Sequence, residues 1–192
     1  MHALATRLPE RPVRPTRSAR RNDLDRPALA SLALALDKAM TLRDGAFFDA
    51  VRSALDQRLT ADDLLDDAQQ AGDPDRYVRH VLHSHPDGLY TIVALVWQPG
   101  QRTPVHGHQT WCAYRMIQGT LRETRYDWNP ADSRAVAARV HSIESGYCSV
   151  VPAGLDAIHD IEHAGTGTAI SLHVYGVAAE HVTTRVNWLT QT

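Results

Sequence analysis

Two textures divide the chain. Residues 27–40 and 44–59 are rich in alanine and leucine, and apolar positions such as Phe47, Val51 and Leu55 recur every four. That period predicts two helices. Thr60 followed by Ala-Asp-Asp predicts a third, with Thr60 as N-cap, acids in the first turn and an end at Ala71-Gly72 before Pro74. Beyond Pro74 the pattern changes. Short runs of Val, Ile, Tyr and Trp are divided by turn residues at 85–88, 99–100, 119, 129–130, 145–146, 152–154 and 164–167. Strands are predicted near 77–83, 89–97, 112–118, 120–128, 136–143, 147–151, 157–162, 168–175 and 183–189. Many short strands at roughly 8–12-residue spacing, without βαβ alternation or a solenoid repeat, predict a mainly β sandwich or barrel. The expected organisation is a helical cap at 28–71 on a single β-barrel at 77–190.

Residues 1–27 fit neither texture. They carry arginines at 7, 11, 14, 17, 20, 21 and 26, prolines at 9, 12, 15 and 27, and little that is apolar. Such a segment buries too little surface to offset its ordering entropy, so a disordered leader or an over-long start is expected ahead of a basic arm or a transit peptide. The whole chain of 192 residues has a net charge of −2, which gives no footprint for nucleic acid or an acidic membrane. No run approaches the roughly 20 apolar residues of a membrane span, and the first residues lack the apolar core of a signal peptide. Cys112 and Cys148 are too few for a disulfide framework. A cytoplasmic, reduced protein is the expectation.

Chemistry concentrates in a spaced pattern: Gly100, five residues, His106-Gly-His108, three residues, Cys112, six residues, Gly119. Histidines two apart on an extended segment project from one face. Neutral imidazoles held so suit Fe, Zn, Ni or Cu rather than Mg or Ca. A second segment, Gly146, five residues, Pro152-Ala-Gly154, is followed by His159. The two segments in order resemble the paired motifs of the cupins, whose fold is a double-stranded β-helix, or jelly-roll barrel, holding a metal. By that resemblance His106, His108 and His159 are the candidate ligands, with His159 two residues farther from Gly154 than is usual. His163 stands where the motif often has Asn. The carboxylate ligand common in cupins is replaced by Cys112. Three histidines leave a divalent metal without a protein carboxylate, a setting that favours an anionic ligand such as a thiolate, whose pKa falls on coordination.

The other histidines have simpler expected roles. His83-Ser-His85 runs into the turn Pro86-Asp-Gly88 and is expected to be exposed there. His80, His141, His163 and His181 lack a companion pattern, and structural places are expected for them. Cys148 is expected to act as a small buried hydrophobe.

From Tyr77 to about Gly176 the chain resembles the thiol dioxygenases, cysteine dioxygenase in particular. The matching residues are Tyr77-Val-Arg79, His106-Gly-His108, Cys112, His159 and Ser171-Leu-His173-Val-Tyr175. The resemblance implies one non-haem Fe(II) per chain on the three histidines. It also implies a substrate site with Arg79 on the carboxylate and Tyr77 beside it, and a Ser171, His173 and Tyr175 set next to the iron. In the animal enzymes a cysteine at the place of Cys112 is crosslinked to that tyrosine; many bacterial relatives have glycine there. The residues themselves agree with these roles. Ser171, His173 and Tyr175 alternate with Leu172 and Val174, so three polar groups share one face, and Arg79 is a planar donor suited to a carboxylate.

These features point to an iron-dependent dioxygenase converting a small thiol with O2 to its sulfinate. L-cysteine is favoured on account of Arg79 and Cys112 together. Gly176 and Thr103-Pro-Val-His106 look more like the bacterial 3-mercaptopropionate dioxygenases, which tend to carry glutamine at the place of Arg79. A metal-binding cupin of other chemistry, such as a Zn- or Mn-dependent isomerase, or a regulatory cupin, ranks third. No nucleic-acid or membrane partner is expected, and an oligomer is compatible with the sequence.

Overall fold

The computed structural model describes residues 26–192. Of the expected leader, residues 1–25 lie outside the described residues, and Pro27 already opens the first helix. Four helices come first: α1 Pro27–Ala39, α2 Asp44–Leu55, α3 Ala61–Leu64 and α4 Asp67–Gln70. Proline in the first turn of α1 loses only an N–H that has no helical partner. The single helix expected at 60–71 is two separate turns. Thr60 with Asp63 and Asp66 with Gln69 each form a reciprocal capping box, so a second start signal interrupts the first. Leu65 between them is extended, and both Leu64 and Leu65 reach the core.

Ten strands follow: β1 Val78–Ser84, β2 Thr91–Trp97, β3 His106–His108, β4 Cys112–Gln118, β5 Thr120–Asn129, β6 Arg134–Glu144, β7 Cys148–Val151, β8 Gly154–Glu162, β9 Ala169–Tyr175 and β10 Asn187–Leu189. They build two five-stranded antiparallel sheets, in the orders β1-β2-β9-β4-β7 and β10-β3-β8-β5-β6. This is the double-stranded β-helix, with the helices at its N-terminal side. Two expectations change at the ends. The last strand shrinks to β10 behind a 3-10 turn at Ala179–His181, and the histidine pair forms the short strand β3.

The first sheet has two apolar faces. Along β2, Ile92, Ala94 and Val96 join one cluster with α1, α2 and α3, while Val93, Leu95 and Trp97 join the other inside the barrel. Strand β9 divides likewise: Ile170, Leu172 and Val174 turn to the helices, and Ala169 and Tyr175 turn inward. Every residue of both strands is buried, which explains their near-continuous hydrophobic reading. Leu29, Leu32 and Leu36 of α1 are buried in the outer cluster, each contributing about 1.5–3 kcal/mol. Tyr90 ties the cap down by donating to Ala33 O at 3.1 Å and Asp37 Oδ1 at 2.7 Å. His83 and His85 are therefore not exposed as expected. Both are half-buried against Tyr90, with His85 Nε2 3.7 Å from Asp37. No helix among the described residues is long and apolar enough to cross a membrane.

Candidate metal centre and its pocket

Strand β3 carries both histidines of the pair, and β8 lies beside it. His106 is directly opposite His159, whereas His108 is opposite Gly154. Two steps on β3 thus span five on β8, so the longer spacing between Gly154 and His159 is taken up as a bulge. Gly107 permits this approach. A Cβ there would sit 2.7 Å from Gly154 O and 2.9 Å from Leu155 Cδ2. The result is a buried group in which one nitrogen from each of His106, His108 and His159 lies within 4.8 Å of the others.

The far nitrogens decide what each ring offers. His106 Nδ1 donates to Pro104 O at 2.8 Å, because a carbonyl only accepts, so Nε2 keeps a lone pair. His159 Nδ1 lies 2.5 Å from Glu123 Oε1, which leaves its Nε2 free in the same way. His108 Nδ1 is buried without a hydrogen-bond partner among the described residues. Burial foremost, and then the neighbouring His159 and His108, holds His106 well below the usual imidazole range. Burial, then His159, holds His108 down to about 3. All of this suits a metal: converging imidazole nitrogens, with no protein carboxylate among them.

Glu123 on β5 was missed in the sequence. It is fully buried, and its two oxygens hold four groups. Oε1 accepts from His159 and from Tyr114 Oη at 3.2 Å; Oε2 accepts from Arg125 Nε at 2.8 Å and meets His141 Nε2 at 3.0 Å. Burial pushes the Glu123 carboxyl up, but the bonds from His159 and Arg125 outweigh it and hold it below the usual range. His141, expected to be only structural, therefore borders the site, and the signal that reveals it is its place opposite Glu123 on β6.

The second wall comes from β9, β2 and β4. Trp97 Nε1 donates to Ser171 Oγ at 2.9 Å, Ser171 Oγ meets His173 Nε2 at 2.9 Å, and His173 Nδ1 meets Tyr175 Oη at 3.1 Å. An indole N–H only donates. Ser171 thus accepts from Trp97 and still has its own proton and a second lone pair for His173 Nε2. In the tautomer in which Ser171 donates to Nε2, the neutral ring carries its proton on Nδ1 and donates to Tyr175, whose hydroxyl proton is then free for the pocket. Burial, then Arg79, holds His173 down to about 3, and burial pushes Tyr175 up, so neither is charged at neutral pH. Cys112 stands directly opposite Tyr175 across β4 and β9, with its thiol pushed up by burial.

Arg79 completes the lining. It is paired with inward-facing Leu95 on β2, donates to Tyr77 Oη at 3.0 Å and has no acidic partner among the described residues. Tyr77 in turn stacks on Trp97 with ring centroids 4.6 Å apart. One pocket is lined by Arg79, the three histidines, Cys112, Tyr114, His173 and Tyr175; Tyr77 supports it from behind Arg79, and Ser171 through His173. Its free volume of about 20 Å3 is on the scale of a water molecule. The remaining histidines lie elsewhere. His163 is held by Gly167 O at 2.7 Å and by Gly165 N, and His80 by Gln69 O at 3.2 Å. Cys148 is half-buried beside the helices and takes no part.

Comparison with known proteins agrees with this arrangement. Cysteine dioxygenase type 1 of Rattus norvegicus is 27% identical over 104 residues, covering 52% of this chain and 50% of the rat protein. The Homo sapiens protein of the same name is 28% identical over the same length, again with 52% and 50% covered. The chain thus spans about half the length of these curated relatives. Among solved structures, a conserved protein of Klebsiella pneumoniae with a double-stranded β-helix domain superposes with a TM-score of 0.49 at 15% identity, covering 70% of this chain and 91% of that one. The family described as cysteine dioxygenase type I matches residues 65–183, which include every lining residue named above; the chain belongs to that family.

Proposed function

We propose that the chain is a non-haem Fe(II) thiol dioxygenase that adds both atoms of O2 to the sulfur of a small thiol carboxylate, giving its sulfinate, with L-cysteine as first candidate. The observation that carries this reading is the meeting of three histidine nitrogens with an arginine that has no acidic partner among the described residues and a buried tyrosine hydroxyl in one small pocket. His106, His108 and His159 would hold the iron, one per chain. When bound, iron supplies the dioxygen chemistry and favours the thiolate over the thiol. Arg79, fixed by Tyr77, binds the substrate carboxylate and sets its distance from the metal. Tyr175, oriented by His173 and Ser171, donates a hydrogen bond to substrate or oxygen. Cys112 is paired opposite Tyr175 across β4 and β9, so a thioether like that of the animal enzymes would appear as a mass lacking two hydrogens. Burial of the histidines, Cys112, Tyr114 and Tyr175 limits the access of bulk water to the reacting sulfur.

Arg79 favours a substrate with a carboxylate, and two free cysteines fit a reducing cytoplasm. 3-Mercaptopropionate is the alternative substrate, supported by Gly176 and by Thr103-Pro-Val-His106. Oxygen uptake by the Fe(II) form, compared across cysteine, 3-mercaptopropionate, cysteamine and mercaptosuccinate, tests the proposal. Uptake is expected with the carboxylates and little with cysteamine. No uptake with any of the four rejects the dioxygenase reading, and zinc or manganese in place of iron in the purified protein counts against it.

A further inference from the structure

Three histidines bring no charge to a divalent ion, yet a carboxylate stands directly behind one of them. Glu123 is fully buried, and an anion so placed is costly unless every lone pair is used. Its partners are sorted by oxygen. Oε1, on the side of the pocket, takes the ligand ring and a phenol, His159 Nδ1 at 2.5 Å and Tyr114 Oη at 3.2 Å. Oε2 takes the cation, Arg125 Nε at 2.8 Å, together with His141 Nε2 at 3.0 Å. An ion pair that served the fold alone would have no need to aim its other oxygen at a ligand ring.

The three rings are graded by what holds them. His159 is anchored by an anion, His106 by the neutral Pro104 carbonyl, and His108 Nδ1 by nothing among the described residues. We propose that Glu123 is the positioning residue of the metal centre, locking His159 in the tautomer that offers Nε2 and lending the metal, through that ring, the negative charge that the three histidines lack. Tyr114 moderates this charge, since its phenol draws on the same oxygen. Its ring also stacks on His173 with centroids 5.4 Å apart and planes within 18°, so one side chain touches both walls of the pocket. A carboxylate on the far nitrogen of a ligand imidazole fixes the ring and raises its basicity.

The inference rests on the metal reading but not on the identity of the thiol. It is tested by Fe(II) titration and by the Fe(III)/Fe(II) midpoint potential in wild type, Glu123→Gln and Tyr114→Phe, with metal-free unfolding midpoints measured alongside. Gln keeps the shape and an acceptor for His159, and His141 in its other tautomer can accept from the new amide. In Glu123→Gln, Fe(II) affinity should fall by about 10–100-fold and the potential should move positive. In Tyr114→Phe, Oε1 loses a competing donor, and the potential should move negative. If Glu123→Gln fails to fold, the sign of the Tyr114→Phe shift decides alone. Unchanged affinity and potential in a folded Glu123→Gln, or a Tyr114→Phe potential that does not move negative, overturns the proposal. A wild type that binds no metal would instead reject the metal reading itself.

Discussion

His159 and His173 stand on different sheets of one pocket, both buried and both bonded to oxygen atoms, but with different nitrogens left over. His159 has its Nδ1 engaged by Glu123 and its Nε2 turned to the other histidines. His173 has Ser171 on Nε2 and Tyr175 on Nδ1, so neither nitrogen is spare. The same side chain is therefore a candidate ligand on β8 and a candidate relay on β9. What separates them is whether the second nitrogen is satisfied by protein. The charge differs as well. The β8 wall backs its ring with a carboxylate, and the β9 wall is a neutral ladder begun by an indole donor.

The comparison predicts a hierarchy of effects. His159→Ala should lose iron and all turnover, as read by metal analysis and oxygen uptake; a variant that keeps full iron breaks the contrast. His173→Gln and Tyr175→Phe should retain iron and lose about 10²-fold in turnover, the usual worth of one donor at a reacting centre. Unchanged turnover would remove Tyr175 from the mechanism. Arg79→Ala should raise KM for cysteine by about 10–100-fold, from the roughly 1.5–3 kcal/mol of a charge-assisted bond, and should leave the response to cysteamine unaltered.

Stability against pH sharpens the contrast further. His173 and His108 are held to about 3 and His106 well below 6.5, mainly by burial, whereas the same rings in the unfolded chain take up protons near 6.5. Their contribution is therefore complete above about pH 6.5 and is lost as the pH falls towards their folded values. Thermal unfolding of the metal-free protein should show a midpoint that drops from neutral to mildly acidic pH, and His173→Gln should flatten that dependence. The smallest effect is expected far from both walls. Thr60→Ala removes one capping box and should cost about 1 kcal/mol, visible in the unfolding midpoint with iron content and turnover unchanged.

Much of this architecture was legible in the chain. Alternation along β9 put Ser171, His173 and Tyr175 on one face, and they share the inward face observed. The resemblance to the paired cupin motifs suggested His106, His108 and His159 as one group, and one nitrogen of each lies within 4.8 Å of the others. Local chemistry misled where two signals overlapped. Thr60 announced a helix start, but Asp66 with Gln69 announced another six residues later, and the longer helix gave way. His83 and His85 looked exposed beside a turn, yet Tyr90 and Asp37, distant in sequence, cover them. Glu123 gave no signal at all, since a lone acid on a strand reads as a solvated position.

Periodicity is a property of neighbouring residues, so the sequence by itself determined most of the strands and the inward face of β9, while the three candidate ligand histidines came from a resemblance to the cupin motifs. Partners are properties of strands that meet only after folding. The sheet pairing of β5 with β8 brings Glu123 behind His159, and the pairing of β2 with β9 brings Trp97 to Ser171. Which nitrogen each histidine has free was therefore decided by the tertiary structure alone, because a buried ring takes its tautomer from the groups packed around it.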